Sequence, residues 1–235
     1  SDIPRIYNNG AYFYPLITGH EFAGEVVDAD KNSTDLIGKR VGIFPLIPCN
    51  KCEPCKNKQF EMCRKYSYLG SRRDGGFAEY VAVPKSNLLE LPDNVTFEQA
   101  AMLEPMAVAV HSIRRININS DDKVVVCGLG TIGMLIVMFL IEMGIKNIFV
   151  IGNKDFQKET ILKLGIPEEN YCDSKSYDSD KWLKEKSDDY GFDVYFECVG
   201  KNETISQAID NTAPAGRVIL VGNPHSDIGF DKKVY

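Results

Sequence analysis

Four of the chain's seven cysteines fall within residues 49–63, spaced Cys49-x2-Cys52-x2-Cys55-x7-Cys63, in a loop that also holds Pro48, Asn50, Pro54 and several lysines. Such a composition folds poorly without a cross-link. Four thiolates satisfy tetrahedral Zn2+, and because the ion binds only when its ligands converge, its binding free energy holds the loop folded. A site with four protein ligands leaves no position for substrate, so this zinc is expected to be structural. Disulfides or an iron-sulfur cluster are the alternatives, and the odd cysteine total argues against a complete disulfide framework. Cys127, Cys172 and Cys198 stand alone and read as small buried apolar residues.

Two further groups could do chemistry. In Gly128-Leu129-Gly130-Thr131-Ile132-Gly133, Gly128 allows a tight turn, Gly130 a close approach of backbone to a pyrophosphate, and Gly133 close packing of helix on strand. The helix N-terminus would then face the phosphates of NAD or NADP. A glycine-rich turn in an α/β sheet that binds nothing is the other reading. His20 and Glu21, set between the small residues Gly19 and Ala23–Gly24, and Glu104, an acid inside an apolar stretch, can supply nitrogen and oxygen ligands to a second zinc with a position open for substrate. A lone histidine is otherwise more often a hydrogen-bonded structural residue.

These groups need elements to position them. Residues 1–111 show short extended runs broken by Gly and Pro, at 24–27, 40–44 and 78–83, and read as an irregular β-rich module. Residues 112–235 alternate apolar strands (124–127, 148–151, 193–198, 217–221) with helices (132–143, 156–164, 204–211), the pattern of right-handed βαβ units on a parallel sheet. Residues 173–189 are polar and read as a solvated loop and helix. The fold class is therefore α/β. A net charge of −6 offers no field for nucleic acid or an anionic membrane, and no apolar stretch nears the roughly 20 residues that span a bilayer. A small-molecule partner is expected. Without a visible secretory signal at residues 1–5, a cytoplasmic location is expected as well.

In an NAD-specific unit an acid closes the second strand, roughly 20 residues beyond the glycine turn, and binds the ribose 2'-hydroxyl. Here Gly152 stands in that place, followed by Asn153 and Lys154. Loss of the carboxylate removes its repulsion of a 2'-phosphate, and the basic neighbour favours one. Alternatively, Lys154 points to solvent and Asp155 serves the 2'-hydroxyl.

Gly19-His20-Glu21, the four-cysteine loop, Asp74-Gly75-Gly76-Phe77-Ala78-Glu79-Tyr80, Glu104-Pro105 and the glycine turn follow one another as in the zinc-dependent medium-chain dehydrogenases. The chain resembles that family over essentially all its length, and within it the galactitol-1-phosphate 5-dehydrogenase and sorbitol dehydrogenase branch. The resemblance implies a GroES-like catalytic domain followed by a Rossmann doubly wound parallel sheet, both truncated. It also implies a catalytic zinc held by His20, Glu104 and a cysteine two residues before Ser1, with Glu21 close by or exchanging as a ligand. That zinc would act as a Lewis acid on a substrate hydroxyl. Ser1 matches the family hydroxyl that passes the alcohol proton toward solvent, and Pro4 stands where relatives often carry a relay histidine.

The implied reaction moves hydride between a polyol, or a polyol phosphate, and NAD(P) in a homodimer or homotetramer. A secondary-alcohol or threonine-type dehydrogenase on the same scaffold is the alternative, and a catalytically inactive dinucleotide-binding protein is another. A phosphorylated substrate calls for cations, and Arg72 and Arg73, with Arg5 behind them, are the candidates. Surface or inter-domain salt bridges are the commoner fate of such residues.

Overall fold

The computed structural model describes residues 2–224 and residue 227. The chain divides into two compact units, one running to Pro105 and the other starting at Met106. The helix Leu103–Arg114 spans this point.

In the first unit the strands are short: β1 (Ala23–Glu25), β2 (Arg40–Ile43), β3 (Leu46–Ile47), β4 (Ser67–Tyr68) and β5 (Leu88–Glu90). An antiparallel sheet runs in the order β1-β2-β5, and β3 pairs antiparallel with β4, Leu46 opposite Tyr68 and Ile47 opposite Ser67. Alternation along β2 sends Val41 and Ile43 into a small core with Leu69, covered by Phe22, Val26, Ile47, Val83 and Leu88. The apolar alternation at 78–83 does not make a strand. This segment bends and has no ladder partner among the described residues. It lies across a groove of about 900 Å³ from Phe22, Val26 and Val27, contributing side chains to the same lining without sharing backbone hydrogen bonds.

The second unit is built on five parallel strands, β6 (Lys123–Cys127), β7 (Asn147–Gly152), β8 (Tyr171–Asp173), β9 (Phe192–Glu197) and β10 (Thr212–Leu220). Their order is β10-β9-β6-β7-β8, so the chain moves outward from β6 in one direction through β7 and β8 and returns to β6's other side through β9. The sheet therefore has a topological switch point between β6 and β9, the place where α/β sheets of this kind bind ligands. Strands buried on both faces read as unbroken apolar runs, which is why Val124, Val125 and Val126 are all fully buried. The core brings Val125, Phe149, Ile151, Trp182, Leu183, Phe192 and Tyr195 together, with Phe149 edge-on to Trp182 at 6.2 Å and to Phe192 at 5.1 Å. The polar stretch 173–189 is more structured than its composition suggests. It starts at the end of the edge strand β8 and contains the helix Ser179–Ser187, capped by the Asp178 carboxylate, which buries Trp182 and Leu183.

Candidate metal centres and dinucleotide cavity

The β3–β4 pairing closes the cysteine loop at its base. Within the loop, Sγ of Cys52 lies 3.4 Å from Cys55 and 3.9 Å from Cys63, and Cys49 lies 3.9 Å from Cys55. A disulfide needs about 2.05 Å, so none of these pairs is bridged. A zinc tetrahedron with arms of about 2.3 Å has edges of about 3.8 Å, and the four sulfurs match it. Backbone amides tune the set. Those of Lys51 and Cys52 hold the Cys49 thiol down at about 6, and those of Arg64 and Cys55 lower Cys52. Burial instead pushes Cys55 up to about 12. A cation at the centre of the cluster is what allows the buried thiol to ionise too.

His20, Glu21 and Glu104 come together although 84 positions separate the first from the last; their ligand atoms lie within 4.8 Å of one another. His20 sits on a backbone platform. The amides of Gly75, Gly76 and Phe77 donate to the carbonyls of Ile17, Gly19 and Thr18, and the Ile17 amide donates to Asp74 Oδ1 at 2.9 Å. Gly75 is required there, since a Cβ would collide with the Gly19 carbonyl. Asp2 Oδ2 lies 2.9 Å from His20 Nδ1, and Nε2 is 3.8 Å from Glu21 Oε1. A carboxylate behind one imidazole nitrogen fixes the tautomer and turns the other nitrogen toward a metal. Tyr68 OH donates to Glu104 Oε1 at 2.9 Å. Burial, and next the Glu104 charge, push the Tyr68 hydroxyl well up, so it stays a donor. One nitrogen and two carboxylate oxygens at this spacing fit zinc in a site of the open kind. Ser1 lies outside the described residues.

Sequence reasoning missed Asp2 and Tyr68. The first is a common acid in a polar N-terminal run, and the second reaches Glu104 only through the fold. Of the basic candidates, Arg72 is half-buried between tyrosines, whereas Arg73 is exposed.

In the second unit a cavity of about 390 Å³ opens at the ends of β6, β7 and β9, lined by Gly128, Leu129, Gly130, Gly152 and Asn153 among others. Thr131, Ile132 and Gly133 form the first turn of the helix Thr131–Glu142. The glycines differ in their surroundings: a Cβ on Gly133 would strike the Gly128 carbonyl, while one on Gly130 would meet nothing within 4 Å. Two buried polar residues fasten the rim. Gln157 Nε2 donates to the Leu129 carbonyl at 2.7 Å while its Oε1 accepts from the Asn153 amide at 3.0 Å, tying the glycine turn to the loop after β7. Glu197, fully buried at the end of β9, accepts from the amides of Val199 and Gly200 and from Thr204 Oγ1. Its signal was in the sequence, as an acid ending an apolar strand.

Residues 1–93 match the alcohol dehydrogenase GroES-like domain and residues 131–234 the zinc-binding dehydrogenase domain. The chain belongs to the zinc-dependent medium-chain dehydrogenases. It is 32% identical to galactitol 1-phosphate 5-dehydrogenase of Escherichia coli (strain K12), over 97% of this chain and 66% of that protein. The crystal structure of galactitol-1-phosphate dehydrogenase from E. coli superposes with a TM-score of 0.87 at 30% identity, covering 99% of this chain and 67% of that one. A structure described as a zinc-binding dehydrogenase from Sinorhizobium meliloti 1021, bound to NADP, gives 0.89 at 26% identity, covering 98% and 68%. The chain thus spans about two thirds of the length of the relatives it matches.

Proposed function

We propose that the full-length protein oxidises a polyol or polyol phosphate, passing hydride from a carbinol carbon to C4 of NAD or NADP while the hydroxyl proton leaves to solvent. The observation that carries this reading is the convergence of His20, Glu21 and Glu104, with Asp2 and Tyr68 fixing the two inner donors from behind. Zinc held there supplies Lewis acidity toward the substrate oxygen. Asp2 keeps the imidazole oriented, Tyr68 holds one carboxylate oxygen of Glu104, and the glycine turn offers free N–H groups to the pyrophosphate. One related structure is a galactitol-1-phosphate dehydrogenase, and another is a zinc-binding dehydrogenase bound to NADP.

NADP is accepted at least as well as NAD in this reading. A Cβ at position 152 would lie 3.0 Å from Leu129 Cδ1 and from the Tyr171 hydroxyl, so a carboxylate fits there only if these side-chain ends give way by a few tenths of an ångström. Lys154 stands exposed just ahead of the helix Asp155–Lys163, near Phe156. Comparing kcat/KM for the two dinucleotides in the full-length enzyme tests this, with Lys154→Asp expected to shift selectivity toward NAD. A strong wild-type preference for NAD contradicts it. The whole assignment is lost if zinc-loaded enzyme reduces neither dinucleotide with any polyol or polyol phosphate.

A further inference from the structure

Strand β9 ends in a carboxylate. Glu197 is fully buried, level with Cys127 of β6 on one side and Leu220 of β10 on the other, and so stands beside the switch point of the sheet. Among the described residues, no cation lies within ion-pair distance of it. Its side-chain partners are neutral and belong to the segment that follows. Oε1 accepts from the amides of Val199 at 2.9 Å and Gly200 at 3.0 Å and from Thr204 Oγ1 at 2.8 Å, and Oε2 shares the Gly200 amide at 3.1 Å. An unpaired buried charge is costly, and these donors are what make it tolerable. The strand ladder needs none of them, since they lie beyond its last residue.

The segment held in this way forms one wall of the cavity, through Cys198, Val199, Lys201 and Thr204. It has little room. A Cβ on Gly128 would lie 2.7 Å from Val199 Cγ2, and one on Gly200, where φ is +81°, would lie 2.6 Å from the Asn223 carbonyl oxygen. We propose that Glu197 is a positioning residue for the dinucleotide: its carboxylate fixes residues 198–204 as a preformed wall, so that binding does not bear the cost of ordering them. This rests on the cavity taking NAD or NADP, as proposed above.

The test is calorimetric titration of the full-length, zinc-loaded protein with NADH and NADPH. Glu197→Leu keeps the bulk but leaves two buried amides without an acceptor, and should weaken both dinucleotides about 10–100-fold. Glu197→Gln retains one acceptor oxygen for the same donors and should stay within about five-fold of wild type. Thr204→Val removes a single donor and should cost about 3–10-fold, with Thr204→Ser restoring the affinity. Leu183→Ala is the control for stability alone, since it loosens the core of the same unit and should leave dinucleotide affinity unchanged. In turnover, the losses at Glu197 and Thr204 should fall on KM for the dinucleotide, with kcat within about two-fold of wild type.

Glu197→Leu that binds like wild type, or Leu183→Ala that weakens binding as much as Glu197→Leu does, overturns the proposal while leaving the cavity's role intact. If Glu197→Leu does not fold, equal affinities in the valine and serine variants of Thr204 overturn it. Wild type that binds neither dinucleotide removes the reading of the cavity, and the proposal with it.

Discussion

The two units are held together by different means. Among the described residues, the first gathers Val41, Ile43 and Leu69 into one small buried apolar cluster, and it carries both groups of side chains spaced to hold a metal ion. The second carries no such group among its described residues and instead buries an aromatic and aliphatic core on a five-stranded sheet. Ligation does in one region what burial does in the other. The difference teaches that the first unit calls on metal twice, at the cysteine loop for folding and at a separate group of ligands for its proposed chemistry, whereas the candidate dinucleotide cavity sits on a scaffold built by burial.

The largest effect that could break this contrast is removal of metal. Structural zinc contributes roughly 10–16 kcal/mol to folding of a small site. Chelation, or Cys52→Ser, should therefore open residues 48–64 to protease. The single tryptophan, Trp182, lies in the core of the second unit and should keep its native emission. Loss of the Trp182 signal together with the loop would show that the units do not differ as described. The converse experiment is Leu183→Ala, which empties a fully buried site of the second core. It should destabilise that unit by about 2–5 kcal/mol, read by denaturant unfolding of Trp182 emission, with zinc content unchanged.

Smaller effects sharpen the contrast. Asp2→Asn and Tyr68→Phe leave all three donors of the second ligand group in place but release their supports, so turnover of the full-length enzyme should fall about 10–100-fold with little change in dinucleotide affinity. Wild-type turnover in both variants would remove their positioning role. The smallest effect lies at the base of the sheet, where Arg217 Nη2 meets Asp122 Oδ2 at 2.9 Å and the Asn119 amide donates to the same oxygen. Burial opposes the charge on Asp122, but Asn119 and Arg217 outweigh it and hold its carboxyl below the usual value. With the folded pKa lowered, this stability is complete above the ordinary carboxylate value of about 3.9 and is lost as pH falls through the lowered one. Asp122→Asn should cost about 1–2 kcal/mol at neutral pH and flatten the acid side of the stability profile. An unchanged profile would show that the Arg217 contact contributes nothing.

What the sequence made legible follows the range of the interactions. The cysteine loop and the glycine turn are local, so their spacing alone carried their chemistry, and the doubly buried strands β6, β7 and β9 announced themselves as apolar runs. Residues 78–83 misled because alternation records which side chains turn inward, not whether a backbone partner lies alongside. Strand β8 was hidden by its shortness and by the polar stretch that follows. Gln157 and Tyr68 could not be singled out, since each matters only through a partner 28 or 36 positions away. Glu104 is legible as an acid inside an apolar stretch, and Glu197, at the end of an apolar strand, satisfies the same criterion.

The most direct test of the account is zinc content, measured with hydride transfer, in the full-length protein and two variants. The account predicts two zinc ions per wild-type chain. It predicts one in Glu104→Ala, with at least about 100-fold less polyol-dependent reduction of dinucleotide but a protected cysteine loop. Cys52→Ser should lose the other ion, and with it the protection of residues 48–64. A wild-type chain holding one zinc, or a Glu104→Ala variant that keeps both ions and full turnover, would contradict it.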